Sequence, residues 1–361
     1  MQPNINQAAN RVFSLDLLKA ISITAVVSFH SIFVPESTYK SASHLMDVLF
    51  APLRFSVPVL LSISFLLLER GLENTSANES VDPLLKKRLI RLAIPTVFWF
   101  SIAAVVVRLL DRSTVTQLIT FTLQGRIFRG GYYLLVLLQL VPVFVLFNRW
   151  FTVKKHVLPT VLLQCFVFLL IESSLFGVFG PHVPLILRTI GRSLFAYWFV
   201  YMVIGAYFYN NWSTLIEISA RIPALLKILL LSLTCLLTAA EYRWLLSLTD
   251  NRIIPFEYIM FSCILSVFVW FLCFAAIEEH QLSTSLTEVV QLLAKYSLGI
   301  FCINGILSYV FSEFSSHFFK TATFSFPEIL LIKFVGWILL LTVSLGLSMM
   351  LDKVGLKACV R

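Results

Sequence analysis

Long runs of apolar residues recur along the whole of this 361-residue chain, and they constrain its fold more than any other feature. About 20 consecutive apolar residues is the length that a helix needs to cross the hydrocarbon core of a bilayer. We predict about ten such spans, near residues 13–35, 49–69, 89–110, 131–148, 157–176, 193–210, 224–246, 255–277, 295–312 and 328–351. Because backbone polar groups in lipid must be satisfied within the spanning segment, these runs predict an all-α integral membrane bundle.

The composition supports that interpretation. Hydrophobic residues make up 58% of the chain and charged residues only 13%, whereas soluble domains are about 25% charged. A chain with this balance and a mean hydropathy of +0.88 needs lipid as part of its solvent. We therefore predict one transmembrane domain over residues 1–361. The first apolar run carries Asp16 and Lys19, which indicates a permanent helix and not a cleaved signal peptide.

Six cysteines are scattered through the sequence without any CxxC pair. Most of them lie inside apolar runs, where a thiol behaves as a small hydrophobic group. The pattern therefore predicts neither a disulfide framework nor a metal site.

The formal net charge of +9 admits two interpretations. A soluble chain this basic would be a candidate for nucleic-acid binding. Here many Lys and Arg residues flank apolar spans, where they anchor helices and orient them, so we expect membrane lipids and no nucleic acid as partners. With the spans crossing the membrane in alternate directions, more than half of the 28 basic residues lie on the same side of the membrane as the N-terminus. That bias favours cytoplasmic N- and C-termini in an inner or plasma membrane.

Four arginines lie on the opposite side, where the positive-inside rule disfavours positive charge. They are Arg126, Arg129, Arg188 and Arg192. A polar pocket that opens to that side would explain them, and so would contacts with lipid headgroups. The sequence leaves both explanations open.

Three of the segments between the apolar spans are distinctly polar. Residues 70–87 and 111–130 are predicted as loops, and residues 278–294 as an amphipathic, partly helical connector. The chain shows no internal repeat of the kind that many transporters contain.

The strongest local signal lies in the first span, where Asp16, Lys19 and His30 interrupt the apolar run. Eleven residues separate Lys19 from His30, which is three helical turns plus about 20°, so the two side chains point the same way. Asp16 precedes Lys19 by three residues, a spacing at which opposite charges can neutralise each other. An ionisable group inside a bilayer costs at least about 2.5 kcal/mol, so a polar cavity or a partner helix is expected beside these residues.

These residues have both structural and chemical interpretations. Lys19 can extend its ammonium group to the cytoplasmic interface, and His30 can hydrogen-bond a neighbouring helix. The chemical alternative for His30 is general-base catalysis, because a neutral imidazole can take the proton of an attacking hydroxyl.

At this segment the chain resembles the acyltransferase 3 family, membrane-bound acyltransferases that O-acetylate surface polysaccharides. Members typically begin with Arg, then Leu-Asp, a basic residue and, after ten further residues, His. The matching residues here are Arg11, Leu15, Asp16, Lys19 and His30.

Later stretches resemble the family in the same order along the chain. They are Pro58–Leu67, which includes Ser64; Lys86–Trp99, which includes Lys87, Arg88 and Arg91; Gly131–Leu134, which includes Tyr132 and Tyr133; Tyr201–Gly205; and Ser297–Asn304.

Three positions depart from the family pattern. Lys19 stands where Arg is usual, which keeps the charge but loses bidentate geometry with phosphate. Phe65 replaces a Gly. Asn304 stands where a second His is common; an asparagine does not titrate, although it donates and accepts hydrogen bonds. This departure points to a divergent substrate or an inactive relative.

The resemblance implies transfer of an acyl group, usually acetyl, from cytoplasmic acyl-coenzyme A to a hydroxyl of a cell-envelope glycan, an exopolysaccharide or a lipid-linked sugar. Acyl-coenzyme A is then a co-substrate, with no permanently bound cofactor and no metal. The implied catalytic residues are His30 and Asp16. The implied donor-binding residues are Lys19, Lys87, Arg88, Arg91 and Arg11. The implied residues of the substrate pocket are Ser64, Tyr132, Tyr133 and Asn304, and an equally open interpretation of Ser64 and Asn304 is a polar contact between helices.

Two non-enzymatic alternatives stay open at this point. A transporter of lipid-linked sugar or polysaccharide would also use intramembrane charges. A non-catalytic scaffold of a glycan-assembly complex would explain the missing second histidine. In either case Lys87, Arg88 and Arg91 would simply anchor a helix at the cytoplasmic interface.

Overall fold

A computed structural model describes residues 12–73, 82–148, 157–175, 178, 191–248 and 257–361. The regular structure in these ranges is entirely helical, without a β-strand. The α-helices, in chain order, are α1 (Phe13–Phe29), α2 (Lys40–Leu49), α3 (Ser56–Glu73), α4 (Asp82–Asp111), α5 (Val115–Leu123), α6 (Tyr132–Asn148), α7 (Val157–Leu175), α8 (Phe199–Asn210), α9 (Trp212–Arg221), α10 (Ala224–Ser247), α11 (Phe261–Phe274), α12 (Thr284–Lys295), α13 (Ser297–Phe318), α14 (Phe326–Lys353) and α15 (Lys357–Val360).

Six helical segments in the described ranges are long and apolar enough to cross a membrane. They are Ala51–Glu73, Asp82–Asp111, Val157–Ser174, Ala224–Ser247, Ser297–Phe318 and Phe326–Lys353. Each coincides with a predicted span, so the all-helical membrane fold is confirmed. The other four predicted spans contain shorter helices: α1 and α6 have 17 residues each, α8 has 12 and α11 has 14.

The predicted ends of three spans are wrong, because the chain leaves the α-helix inside an apolar run. The first span was expected to reach residue 35, but α1 ends at Phe29 and the amide of His30 closes its last turn on the carbonyls of Val26 and Val27. In the spans 193–210 and 255–277, short 3₁₀ turns precede α8 and α11. The hydropathy of a run indicates whether it lies in lipid or in water, but it does not indicate where the helix ends.

The polar segments are only partly as predicted. Residues 111–130 contain α5, which begins with a capping box: Thr114 Oγ1 accepts from the Gln117 amide at 3.3 Å, and Gln117 Oε1 accepts from the Thr114 amide at 2.8 Å. The expected connector 278–294 is confirmed as α12, whose buried residues recur at helical spacing. In the linker 70–87, α3 extends to Glu73, α4 begins at Asp82, and residues 74–81 lie outside the described ranges.

The first helix lies in the core of the bundle. It packs against α3, α12, α13 and α14, and 11 of its 17 residues are buried. Other helices present large apolar side chains at the outer surface, as Leu229 and Leu236 do on α10, which is what lipid contact requires. Three polar residues of α1, Ser14, Asp16 and Ser22, are therefore enclosed by protein.

Candidate active site

A small cavity lies at the C-terminal end of α1. Five parts of the chain meet there: α1, the turn that leads into α3, the loop before α6, the turn before α11, and α13. The lining residues are Val26, Phe29, His30, Leu53, Arg54, Ser56, Val57, Gly130, Tyr132, Tyr258 and Phe301. The lining is mostly apolar and contains one imidazole and one guanidinium group.

A hydrogen bond across the bundle holds the imidazole of His30. Its Nδ1 lies 2.9 Å from Oδ1 of Asn304 on α13. The amide nitrogen of Asn304 donates to the carbonyl oxygens of Ile300 and Phe301, at 2.8 and 2.7 Å. Because both amide hydrogens have carbonyl acceptors, the atom that faces His30 is the oxygen, which only accepts. The hydrogen-bond network therefore assigns the proton of the neutral ring to Nδ1 and leaves the lone pair on Nε2.

The loop before α6 brings main chain close to this ring. Gly130 has a φ of +91°, a conformation that favours glycine. A Cβ atom at this position would lie 2.9 Å from Cζ of Phe301 and 3.7 Å from Cε1 of His30. Glycine here thus lets the loop pass beside the imidazole without a side chain between them.

Arg54 lines the same cavity and was not predicted as a site residue. Its side chain is only 3% exposed. The guanidinium carbon lies 4.1 Å from the ring centre of Tyr242 and 5.0 Å from that of Phe29, and Nη1 lies 3.5 Å from the carbonyl oxygen of Asp47. One signal was present in the sequence: Arg54 is a charge inside the predicted span 49–69, and an intramembrane charge is a candidate functional residue by default.

Lys333 is a second buried cation that sequence reasoning missed, although it lies inside the predicted span 328–351. It is 4% exposed, its Nζ donates to the carbonyl oxygen of Ser28, and it lies 4.1 Å from the ring centre of Phe50. Ser28 precedes His30 by two residues. The ammonium group therefore lies at the C-terminal end of α1, where the helix dipole is negative.

Two of the four outer arginines border this site. Among the described residues, the charged groups that act on the His30 ring are those of Arg129, Lys333 and Arg192, and all three are positive. Arg129 donates from Nη2 to Ser312 Oγ at 2.8 Å, and the guanidinium carbon of Arg192 lies 5.7 Å from the ring centre of Tyr258. The polar-pocket explanation is thus supported for these two. Arg126 is exposed, and Arg188 lies outside the described residues.

Of the other predicted pocket residues, one lines the cavity and two lie outside its lining. Tyr132 lines the cavity. Tyr133 packs against Phe301, with ring centres 5.0 Å apart, and its hydroxyl lies 3.4 Å from Oγ of Ser64. Ser64 Oγ also donates to the carbonyl of Leu60 at 2.9 Å. Ser64 and Tyr133 are therefore not in the cavity lining; Tyr133 packs against the lining residue Phe301, and Ser64 contacts Tyr133.

Asp16 lies at the other end of α1 from His30. Fourteen residues separate the two, which is about 21 Å along a helix axis. Asp16 forms the expected ion pair with Lys19, with 3.9 Å between Oδ1 and Nζ. The structure thus pairs Asp16 with Lys19 and does not bring it to the imidazole.

The predicted donor-binding cluster lies at the beginning of α4. Lys87 and Arg91 are exposed, whereas Arg88 is half-buried and donates from Nη2 to the carbonyl of Leu67 at 3.2 Å. Leu67 is eleven residues along α3 from the cavity-lining Ser56, which is about 16 Å. The cluster is thus well separated from the cavity. Arg11 lies outside the described residues.

Comparison with known proteins places the chain in a family. A family model described as an acyltransferase domain matches residues 12–353. Searches of curated proteins and of solved structures returned no significant match. The match covers nearly the whole chain, from α1 to the last turn of α14. This multi-pass membrane protein therefore belongs to the acyltransferase 3 family and is an acyltransferase.

Proposed function

We propose that this acyltransferase moves an acyl group, in the simplest case acetyl, from cytoplasmic acyl-coenzyme A to a hydroxyl of a cell-envelope glycan or exopolysaccharide, with His30 as the general base. The observation that carries the proposal is the contact between His30 Nδ1 and Asn304 Oδ1 beside the cavity. It leaves the lone pair on Nε2, which is the atom a base needs. Family membership favours this function over the transporter alternative.

The proposed reaction is direct acyl transfer. Nε2 of His30 takes the proton of the acceptor hydroxyl while its oxygen attacks the thioester carbonyl. The new C–O bond forms, the C–S bond breaks, and the thiolate of coenzyme A takes the proton from the imidazolium. The products are an O-acyl glycan and free coenzyme A. Tyr132, which lines the cavity, is the proposed donor to the oxygen of the tetrahedral intermediate.

The donor is proposed to approach from the other end of the bundle, which we place in the cytoplasm. Lys87 and Arg91 are exposed and four residues apart on α4, so they suit charge-assisted bonds to the phosphates of coenzyme A. Arg88 and Lys19 are proposed to complete this site, with Asp16 beside them. Their separation from the cavity suits a donor whose phosphates and thioester are joined by the long pantetheine arm.

Asn304 stands where the family commonly has a second His, and its contact with His30 is compatible with an active enzyme. A second histidine would titrate, but the asparagine still supplies the acceptor that orients His30. The departure from the family therefore replaces one means of holding the imidazole with another.

The test is acyl transfer by purified protein in proteoliposomes, with labelled acetyl-coenzyme A and a membrane glycan extract as acceptor. Removal of a general base costs roughly 10²–10⁴-fold in rate, so we expect a loss of that size for His30→Gln, whose amide cannot take a proton. The matched control is His317→Gln, because His317 is an exposed histidine on α13 that bonds only to neighbouring groups of its own helix. Full activity in a folded His30→Gln protein contradicts the assignment of the base.

A further inference from the structure

We propose that α5 lies in the membrane surface, with an apolar stripe in the acyl chains and with Arg112 and Arg126 bound to the phosphates of anionic phospholipids. The inference assigns an interaction surface and is independent of the proposed acyl-transfer reaction. It concerns the end of the bundle that contains the cavity with His30.

The side chains of α5 divide its circumference into three sectors. One sector packs against the rest of the bundle through Leu118 and Phe121. A second sector consists of Val115, Ile119 and Leu123, which are 70%, 55% and 71% exposed. Residues four apart lie on one face of a helix, so these three form a continuous apolar stripe on the outside of the protein.

The third sector is polar and also exposed. It consists of Thr116, Gln117 and Thr120, and at 100° per residue its centre lies about 110° round the helix from the centre of the apolar stripe. The nine residues of α5 extend about 14 Å, too short a distance to cross a bilayer. A short helix that exposes neighbouring apolar and polar faces suits the boundary between acyl chains and water.

The apolar stripe lies beside a helix that itself presents apolar side chains to lipid. That helix, α4, is long and apolar enough to cross a membrane, and near its C-terminal end Val105 and Leu109 are 59% and 73% exposed. Three residues join α4 to α5, and the two helices pack together. The lipid around the end of α4 is therefore within reach of the stripe, which identifies acyl chains as what covers it.

Arginine side chains flank α5 at both ends. Arg112 lies three residues before α5 begins, Arg126 lies three residues after it ends, and both are exposed. Arg108 donates to main-chain carbonyls of the turn between α4 and α5 at 2.9 Å. An acidic neighbour, Asp111, accepts from the hydroxyl of Tyr309. The arginines outnumber this carboxylate, so the rim of α5 favours an anionic partner.

The chemistry of that rim matches a phospholipid headgroup. The guanidinium fork forms bidentate hydrogen bonds with phosphate. Basic side chains beside an interfacial apolar face add electrostatic attraction to anionic lipids. For Arg126 this is the headgroup explanation that the sequence left open.

The proposed surface connects directly to the cavity. Gly125, just after α5, has a φ of +65°, and a Cβ atom there would lie 2.4 Å from Cα of Tyr132. Tyr132 begins α6 and lines the cavity. The end of α5 thus packs against main chain of the lining, so the depth of α5 in the membrane sets the level at which the cavity lies.

The first test measures where the two exposed sectors lie. Ile119→Cys and Thr120→Cys are spin-labelled in the full chain in lipid nanodiscs, in a background with alanine at the partly exposed Cys165 and Cys235. Collisions with oxygen, which concentrates in lipid, and with a water-soluble nickel chelate report immersion. We expect the label at 119 to favour oxygen, as a label at the lipid-facing Leu229 of α10 does, and the label at 120 to favour nickel.

Leu123→Cys and Thr116→Cys form a second pair that repeats the comparison with independent variants. A preference for nickel at both stripe positions places α5 in water and overturns the proposal. Stripe labels that are shielded from both reagents would mean that protein, such as a second copy of this chain, covers the stripe. That result also overturns the proposal.

The second test measures the class of lipid. Nanodiscs contain equal parts of phosphatidylglycerol and phosphatidylcholine, only one of them brominated in each sample, and the bromine quenches a fluorescent label on Ile119→Cys. We expect the anionic lipid to be enriched at the label roughly fivefold, the effect of one arginine near a charged surface. Arg112→Gln combined with Arg126→Gln should abolish the enrichment. The matched control is Arg221→Gln, at a highly exposed arginine of α9, which should leave it unchanged.

Equal quenching by the two brominated lipids, in protein that keeps both arginines, overturns the proposal. This comparison needs no arginine variant, so it holds even where the double variant does not fold. Because neither test measures acyl transfer, their outcomes are distinct from that of the His30 assay.

Discussion

At the scale of single residues, the main structural result concerns Asn304. Its amide hydrogens are both held by carbonyls of its own helix, so its oxygen is presented to His30 and can only accept. A side chain that does not titrate thus decides which nitrogen of the imidazole is basic. In the sequence, Asn in place of the family's second His suggested a loss of function, but the hydrogen bonds of Asn304 give it a defined role.

The role of Asn304 predicts the effect of its removal. We expect Asn304→Leu to lower kcat roughly tenfold, which corresponds to about 1.4 kcal/mol of transition-state stabilisation, with KM for acyl-coenzyme A little changed. The reason is that the imidazole loses the acceptor that fixes its tautomer and orientation. Steady-state kinetics in proteoliposomes measure the effect.

The control for this prediction is Asn304→His, which introduces the residue that is common at this position in the family. The imidazole can accept from His30 Nδ1, so activity should stay within a few-fold of wild type. A wild-type kcat in Asn304→Leu would show that the hydrogen bond to His30 is unimportant for the rate.

At the scale of elements, α14 holds the C-terminal end of α1 in place. Lys333 donates to the carbonyl of Ser28, and Trp337 Nε1 donates to that of Thr24 at 3.2 Å. Gly336 lies between these two residues, against the carbonyl of Ser31. One face of α14, formed by Lys333, Gly336 and Trp337, thus contacts the C-terminal end of α1 and positions His30.

This contact predicts a contrast between two glycines of the same helix. A Cβ atom at Gly336 would meet the Ser31 carbonyl oxygen at 2.3 Å, whereas one at Gly346 would meet no atom within 4 Å. We expect Gly336→Ala to destabilise the protein by about 1–3 kcal/mol, because main chain has to move, and to lower acyl-transfer activity as His30 shifts.

The matched control is Gly346→Ala, which should be neutral or stabilise the protein by up to about 1 kcal/mol through helix propensity. Thermal unfolding in detergent measures both variants. Equal melting temperatures for the two alanine variants would show that α14 does not pack tightly against α1.

At the scale of the whole molecule, the bundle has two chemically different ends. One contains the Asp16–Lys19 ion pair and the exposed Lys87 and Arg91; the other contains the cavity with His30 and Arg54. The 30 residues of α4 extend about 45 Å, enough to pass through the whole bilayer including its headgroup regions. A helix of this length and hydropathy is able to place its two ends on opposite sides of the membrane.

This arrangement makes the proposed orientation testable with introduced cysteines. With a cytoplasmic N-terminus, we expect Lys87→Cys to react with an impermeant maleimide only after permeabilisation and Thr116→Cys to react in intact cells. Both positions are exposed, one near the beginning of α4 and one just after its end.

The background for this experiment should carry alanine at Cys165 and Cys235, the partly exposed native cysteines among the six, which are all free thiols. That background without an introduced cysteine is the control. The reverse labelling pattern would invert the orientation and remove the cytoplasmic donor site from the proposed mechanism.

How much of the site was predictable differs from residue to residue. His30, Tyr132 and Asn304 were named from the sequence, and they meet at or beside the cavity. Arg54 was not, because one charge in an apolar run does not reveal which helices enclose it. Asp16 was assigned to catalysis by the resemblance, but about four helical turns of α1 separate it from His30.

The amino-acid sequence alone was enough to predict a helical membrane protein, because the hydropathy of a run is a local property and a helix satisfies its own backbone polar groups in lipid. It also carried the family, through residues at fixed spacing along one chain. Three features became clear only from the packed bundle. They are the end of α1 at Phe29, the hydrogen bond from Lys333 to the Ser28 carbonyl, and the orientation of the Asn304 amide oxygen toward His30. Each of these depends on atoms from helices far apart in the chain, and their meeting is set by packing.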